Sequence, residues 1–194
     1  MTVLRTAQLR TAQLRTSPLR RLGAATAALA AAGVLTATVP TTAQASVPVV
    51  VTSPTEVRNA ITNKCLEVAD WRTDDGAPVR QWTCTGGDNQ KWAWTDANQL
   101  VNVHSGKCLE IPGFSTAWGV QADQWDCNGG LNQIWSETVV HHSGIRSLTN
   151  RSSGLVLDLP GTNPADGTPI IQWERNYGFN QAWIYSPAQH GTHS

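Results

Sequence analysis

Charge, long aliphatic runs and any surplus of base are all scarce in this 194-residue sequence, and each shortage excludes a class of protein. Lys plus Arg and Asp plus Glu number 14 each. Residues 1–45 hold five arginines and no acid, which leaves nine bases against 14 acids in the rest of the chain. An acidic remainder excludes a basic nucleic-acid binder. No G-x-S-x-G, H-E-x-x-H or phosphate-loop pattern occurs, so the common hydrolase, metalloprotease and nucleotide-binding signatures are missing. The five His are scattered apart from His141-His142, and His190 and His193 fall in a tail over 187–194 whose composition predicts disorder. There are four Cys, with no C-x-x-C and no neighbouring His to complete a zinc set. No metal or cofactor is implied. No 3.6-residue periodicity persists long enough to predict a helix.

The first 45 residues have the order of a secretory signal. A basic stretch ends in Arg20-Arg21, an apolar run extends from Leu22 to Val39, and Ala43-Gln44-Ala45 precedes Ser46 as an A-x-A cleavage site. The apolar run is rich in Ala and Thr and too weakly hydrophobic to favour a permanent span. A secreted mature chain is expected, with a short linker over 46–55. What remains suits one domain and leaves no room for a second, catalytic one. All nine Trp lie in this part, and the core must rely on them.

Those tryptophans reveal a threefold repeat. Gln90-Lys91-Trp92, Gln133-Ile134-Trp135 and Gln181-Ala182-Trp183 are Q-x-W triplets 43 and 48 residues apart. Ten residues before each final Trp stand Trp82, Trp125 and Trp173, and 27 before it stand Cys65, Cys108 and Val156. Asn59, Asn102 and Asn150 also correspond, as do Gly76, Gly119 and Gly167. Repeats are therefore expected over about 56–95, 96–138 and 145–186. Alternation in Cys65-Leu66-Glu67-Val68, with Leu109/Ile111 and Leu157/Leu159 likewise, predicts short strands with opposed faces. Gly- and Pro-rich segments supply turns. Each repeat is too small to bury its own core, so three must pack around a common axis, an arrangement that also removes sheet edges.

Cys65 and Cys84 are 19 residues apart, as are Cys108 and Cys127, while the third repeat has Val156 and Arg175 at both places. Joint loss of a pair predicts disulfides within repeats, each stabilising by roughly 3 kcal/mol in the chain-entropy model. If each Cys faces its partner across an antiparallel pair, the same register sets Glu67 opposite Trp82, Glu110 opposite Trp125 and Asp158 opposite Trp173. A carboxylate beside an indole suits a sugar, which has a C–H face and an O–H rim.

These residues resemble the ricin B-chain-type lectin domains, a family that includes xylan-binding modules of glycosidases. The resemblance rests on the three Q-x-W triplets and on the runs Gly106-Lys107-Cys108-Leu109-Glu110-Ile111, Gln124-Trp125-Asp126-Cys127-Asn128-Gly129-Gly130 and Asn132-Gln133-Ile134-Trp135. It implies an all-β chain, a β-trefoil of three repeats and twelve strands over 56–186, with up to three sugar pockets. Carried over by position, the pockets are Glu67, Trp82, Asn89 and Gln90; Glu110, Trp125, Asn132 and Gln133; and Asp158, Trp173, Asn180 and Gln181. The family's usual acid is Asp, present only at Asp158, and its frequent Gln two residues before the stacking aromatic is replaced by Arg80, Asp123 and Ile171. The longer Glu either displaces a sugar or silences the first two pockets, so the third is expected to be strongest.

Structural roles compete for the same residues. Trp92, Trp135 and Trp183 fit a threefold core; Gln90, Gln133 and Gln181 fit buried backbone as well as sugar; Glu67 and Glu110 fit a hairpin surface; and a loop over the disulfide side would make Trp82, Trp125 and Trp173 structural. Threefold-equivalent acids are expected to be too far apart for glycoside hydrolysis. The expected function is a secreted, non-catalytic lectin for galactose- or xylan-type sugars. A polysaccharide-targeting module acting with a separate hydrolase and a trefoil protease inhibitor are the alternatives.

Overall fold

Apolar alternation interrupted every few residues by Gly, Pro or Asn leaves this chain only short strands to form. The structure, a computed structural model, describes residues 50–141 and 144–187. The leader read over 1–45 and the tail with His190 and His193 lie outside the described residues, as does the start of the 46–55 stretch. Within that stretch Val50 bridges to Thr95, and the Val51 N–H donates to the Trp94 carbonyl at 2.8 Å.

Each repeat contributes four strands. The first has β1 (Thr55–Asn59), β2 (Cys65–Val68), β3 (Ala77–Trp82) and β4 (Lys91–Trp94). The second has β5 (Leu100–Asn102), β6 (Cys108–Glu110), β7 (Asp123–Trp125) and β8 (Trp135–Val139). The third has β9 (Ile145–Asn150), β10 (Val156–Asp158), β11 (Ile171–Trp173) and β12 (Trp183–Pro187). The outer strands pair between and within repeats, β1 with β4 and β12, β4 with β5, and β9 with β8 and β12. The inner strands form the hairpins β2–β3, β6–β7 and β10–β11. These hairpins meet at a closed ring in which Val79 N–H donates to Ala122 O (2.9 Å), Ala122 to Ile170 O (2.9 Å) and Ile170 to Val79 O (3.2 Å). All three residues are buried, and the ring marks the threefold axis of a β-trefoil.

The core is built as the repeat requires. Leu66, Leu109 and Leu157 are buried together with Val68, Ile111, Leu159 and the three closing tryptophans. Each indole Nε1 donates to the carbonyl of one of those leucines, Trp92 to Leu66 (2.9 Å), Trp135 to Leu109 (2.9 Å) and Trp183 to Leu157 (3.1 Å). The indole therefore buries a large apolar area and also satisfies its one donor.

Disulfides join Cys65 to Cys84 and Cys108 to Cys127, with Cα atoms 5.2 and 5.1 Å apart. In the third repeat Val156 fills the core side, and Arg175 donates instead to Thr149 Oγ1 on β9 (2.7 Å). The expected register is corrected by two residues. Cys65 faces Trp82, Cys108 faces Trp125 and Val156 faces Trp173. The reason is that β3 ends at Trp82, so Cys84 lies past the ladder and its bridge reaches back diagonally. The acids then face different residues, Glu67 opposite Arg80, Glu110 opposite Asp123 and Asp158 opposite Ile171. A shift of two keeps acid and indole on one face, as diagonal neighbours.

A second set of glutamines stitches the repeats together. Gln81, Gln124 and Gln172, all fully buried, each donate twice to loop carbonyls of the adjoining repeat: Gln81 to Asn163 and Ala165, Gln124 to Arg72 and Asp74, Gln172 to Ser115 and Ala117. Their carbonyls accept from Thr62, Ser105 and Ser153 hydroxyls.

Candidate functional site

Three equivalent groups, termed clefts, arise where an acid at or one residue before the end of the first hairpin strand, an indole ending the second and an Asn-Gln turn leading into the closing Trp come together. The Q-x-W glutamine organises each one. Its Nε2 donates to the acid, Gln90 to Glu67 (2.6 Å), Gln133 to Glu110 (2.8 Å) and Gln181 to Asp158 (2.7 Å). The same nitrogen donates to the carbonyls of Thr83, Asp126 and Glu174, while Oε1 accepts the N–H of Thr85, Asn128 and Asn176. Both amide protons are thus used within the protein, and the glutamine holds the acid in place. Asn89 and Asn132 donate to the Val68 and Ile111 carbonyls, clamping the acid-bearing strand. Asn180 donates to Asp158 Oδ2 itself (2.8 Å).

All twelve residues expected to form pockets are therefore gathered into three groups by repeat, but the groups are not alike. The residue facing the acid decides the difference. In the first, Arg80 donates to Glu67 Oε1 from Nε (3.1 Å) and Nη2 (3.0 Å), and its guanidinium carbon lies 4.2 Å from the centre of the Trp82 ring. Both carboxylate oxygens are engaged, and the indole face carries a cation. This cleft is filled by its own side chain.

In the second, Asp123 faces Glu110. Burial, and then the Glu110 charge, push the Asp123 carboxyl up to about 7, and burial raises Glu110 as well. Asp123 Oδ1 is buried with no hydrogen-bond partner among the described residues. Two carboxylates so close do not both ionise freely. Because the folded-state value lies above the ordinary aspartate value, the cost of this arrangement is absent in acid, grows as pH rises between the two values and is complete above about 7. Asp123→Asn is expected to stabilise the chain by about 1–2 kcal/mol at alkaline pH and by almost nothing near pH 4, a range discounted for the side chain's partial contact with water. Urea unfolding at the two pH values checks this, since equal gains at both would indicate packing rather than charge.

In the third, Asp158 is 3% exposed, and both of its hydrogen bonds fall on Oδ2, from Asn180 and Gln181. Burial raises its pKa, and those two donors oppose the rise. The facing residue is the apolar Ile171, and Trp173 is 38% exposed. The arrangement offers a held carboxylate as acceptor and an open indole as an apolar floor.

Sequence reasoning passed over several neighbours. Trp71, Phe114 and Thr162 occupy equivalent left-handed positions (φ 56°, 55° and 55°) in the turn after each acid. The rings of Trp71 and Phe114 lie so close to Gly87 and Gly130 that a Cβ there would stand 2.8 and 3.0 Å away. The third cleft has no ring at this place. Recurrence at threefold-equivalent positions was the available signal for Gln81, Gln124 and Gln172, whereas Trp71, Phe114 and Thr162 differ in type and gave none.

Residues 53–183 match the model of the ricin-type β-trefoil lectin domain. The designed threefold-symmetric protein ThreeFoil is 34% identical, with a TM-score of 0.66 over 68% of this chain and 96% of that one. The exo-β-1,3-galactanase 1,3Gal43A of Clostridium thermocellum is 29% identical with a TM-score of 0.66, over 72% of this chain and 31% of that one. A probable lipoprotein, EnvE of Salmonella typhimurium, is 46% identical over 37 residues, which are 19% of this chain and 21% of that protein. A threefold hairpin ring, a closing Trp in each core position and an Asn-Gln turn holding an acid beside an indole are thus joined to a family match over most of the chain, which belongs to the ricin-type β-trefoil lectin domain family.

Proposed function

We propose that this chain is a secreted, non-catalytic lectin that binds galactose- or xylan-type sugars chiefly through its third repeat. The observation that carries the reading is the third cleft, where Asp158 is held by Asn180 and Gln181 next to a half-exposed Trp173 with no charged side chain facing the acid. A sugar laid on the indole presents its C–H face to the ring and a hydroxyl to the carboxylate. Glycoside hydrolysis needs two carboxyl groups, and Asp158 is faced by Ile171. Secretion is supported by the leader pattern and by two disulfides, which persist in oxidising compartments.

Calorimetric titration of the secreted chain with galactose and xylose tests this. Trp173→Ala and Asp158→Ala should each weaken binding by about 1–3 kcal/mol, because one removes the floor and the other leaves a sugar hydroxyl unpaired. Trp82→Ala should leave binding unchanged, since Arg80 already covers that ring. Unchanged affinity in both third-repeat variants, with folding verified, would place the site elsewhere.

The likeness to a galactanase of which the trefoil spans 31% favours a second reading, a module that holds a separate hydrolase on polysaccharide. Retention on insoluble galactan or xylan without affinity for soluble glycoprotein glycans distinguishes it.

A further inference from the structure

The loop that closes each hairpin against its neighbour carries an acid at two of its three occurrences. Asp166 Oδ1 accepts the Thr83 N–H (2.8 Å) and the Lys64 ammonium (2.6 Å). Asp75 Oδ1 does the same with the Asp126 N–H (2.9 Å) and Lys107 (2.7 Å). These are polar clasps between one repeat and the next. At the junction of the second and third repeats, the equivalent positions hold Trp118 and Leu155, so both partners of the clasp are replaced at once.

Trp118 takes up its position against the indole of the third cleft. The two ring centres are 5.4 Å apart with planes inclined at 48°. An apolar clasp with only a structural role would bury the new side chain, yet Trp118 is 56% exposed, more than Trp173. The inner side of Trp173 is closed by the same loop, where a Cβ on Gly119 would stand 3.5 Å from the ring. Trp118 therefore continues the open indole surface sideways, and the first two clefts, with Asp166 and Asp75 at that place, have no such extension.

Resting on the reading of the third cleft as a sugar site, we propose that Trp118 forms a second subsite, so that this cleft takes two consecutive rings of a glycan chain. The separation of the indoles is about the width of one pyranose. Their inclination suits a chain whose successive rings turn out of a common plane, and disfavours a flat ribbon. Each ring of the glycan stacks through C–H groups on its own indole, while hydroxyl recognition stays with Asp158 at the first. Trp118 thus selects chain length and linkage, and Asp158 with Trp173 selects the sugar.

The test is calorimetric titration of the full secreted chain with the monosaccharide, disaccharide and trisaccharide of the galactose and xylose series. The variants are Trp118→Asp, Trp118→Asp with Leu155→Lys, and Trp173→Ala. Aspartate is the residue the fold already accepts at both equivalent positions, and the double variant restores the whole clasp. The unsubstituted chain should bind a disaccharide about tenfold more tightly than its monosaccharide. Both Trp118 variants should abolish that gain while keeping monosaccharide affinity within about twofold. Bridging between repeats would survive the substitution, so it cannot imitate this result. Equal weakening for all lengths would show that Trp118 merely props Trp173, and overturns the proposal. So does a chain that binds monosaccharide with no gain for longer ligands. Absence of any sugar binding by the unsubstituted chain overturns the sugar site itself, a separate outcome.

Discussion

Replacing Trp183 with alanine should lower the unfolding free energy by about 3–5 kcal/mol, a large share of the total for a domain of this size. The indole is 0% exposed, and its Nε1 satisfies the buried Leu157 carbonyl, so the substitution both empties a core volume and orphans an acceptor. It also falls in the repeat that has no disulfide to limit the unfolded chain. Guanidinium unfolding of the oxidised chain measures the effect. Trp173→Ala is the control, because the same residue type at 38% exposure, resting on Trp118 and the Gly119 loop outside the core, should cost about 1–2 kcal/mol. A Trp183 variant with near-normal stability would mean that the threefold core is not what holds the trefoil together.

The second large effect concerns Arg80. Its guanidinium is shared between Glu67, which is almost wholly buried, and the exposed Asp70 (2.9 Å), and it covers Trp82. Arg80→Ala leaves the Glu67 carboxylate without its cation, at an expected cost of about 2–3 kcal/mol, below the figure for a fully buried pair because the arginine retains some contact with water. Arg80→Gln keeps a donor and should cost about half as much. Glu67→Gln combined with Arg80→Ala should recover most of the loss, which a double-mutant cycle would register. In Arg80→Gln the first cleft is cleared, so sugar titration should find one more site per chain than before, with quenching of Trp82 fluorescence. Stability unaffected by Arg80→Ala would show that the pair contributes nothing.

Residues whose partners lie in the same repeat could be read from sequence. Equal spacings placed the closing tryptophans in the core, and the joint replacement of Cys by Val156 and Arg175 identified both disulfides, because a bridge within a repeat must be present or absent as a pair. The acid, indole and Asn-Gln of each cleft were expected from the family resemblance, and in each repeat the structure joins the acid to the Asn-Gln turn on the indole's side of the hairpin. The register was not legible, because a disulfide constrains two Cα atoms without requiring that they face each other in the ladder, and Cys84 lies beyond the end of β3.

Contacts between repeats belonged to the tertiary structure alone. Periodicity shows that Gln81, Gln124 and Gln172 are equivalent, yet their donors reach loops some 50 to 80 residues away, and nothing in the spacing names those partners. The Val79–Ala122–Ile170 ring is made of backbone groups that every residue owns, so no side-chain pattern could signal it. Arg80, Asp123 and Ile171 appear in the sequence as departures from a pattern. Only the cross-strand pairing made them the residues that fill, charge or leave open the three clefts, because a substitution takes its meaning from the group it faces.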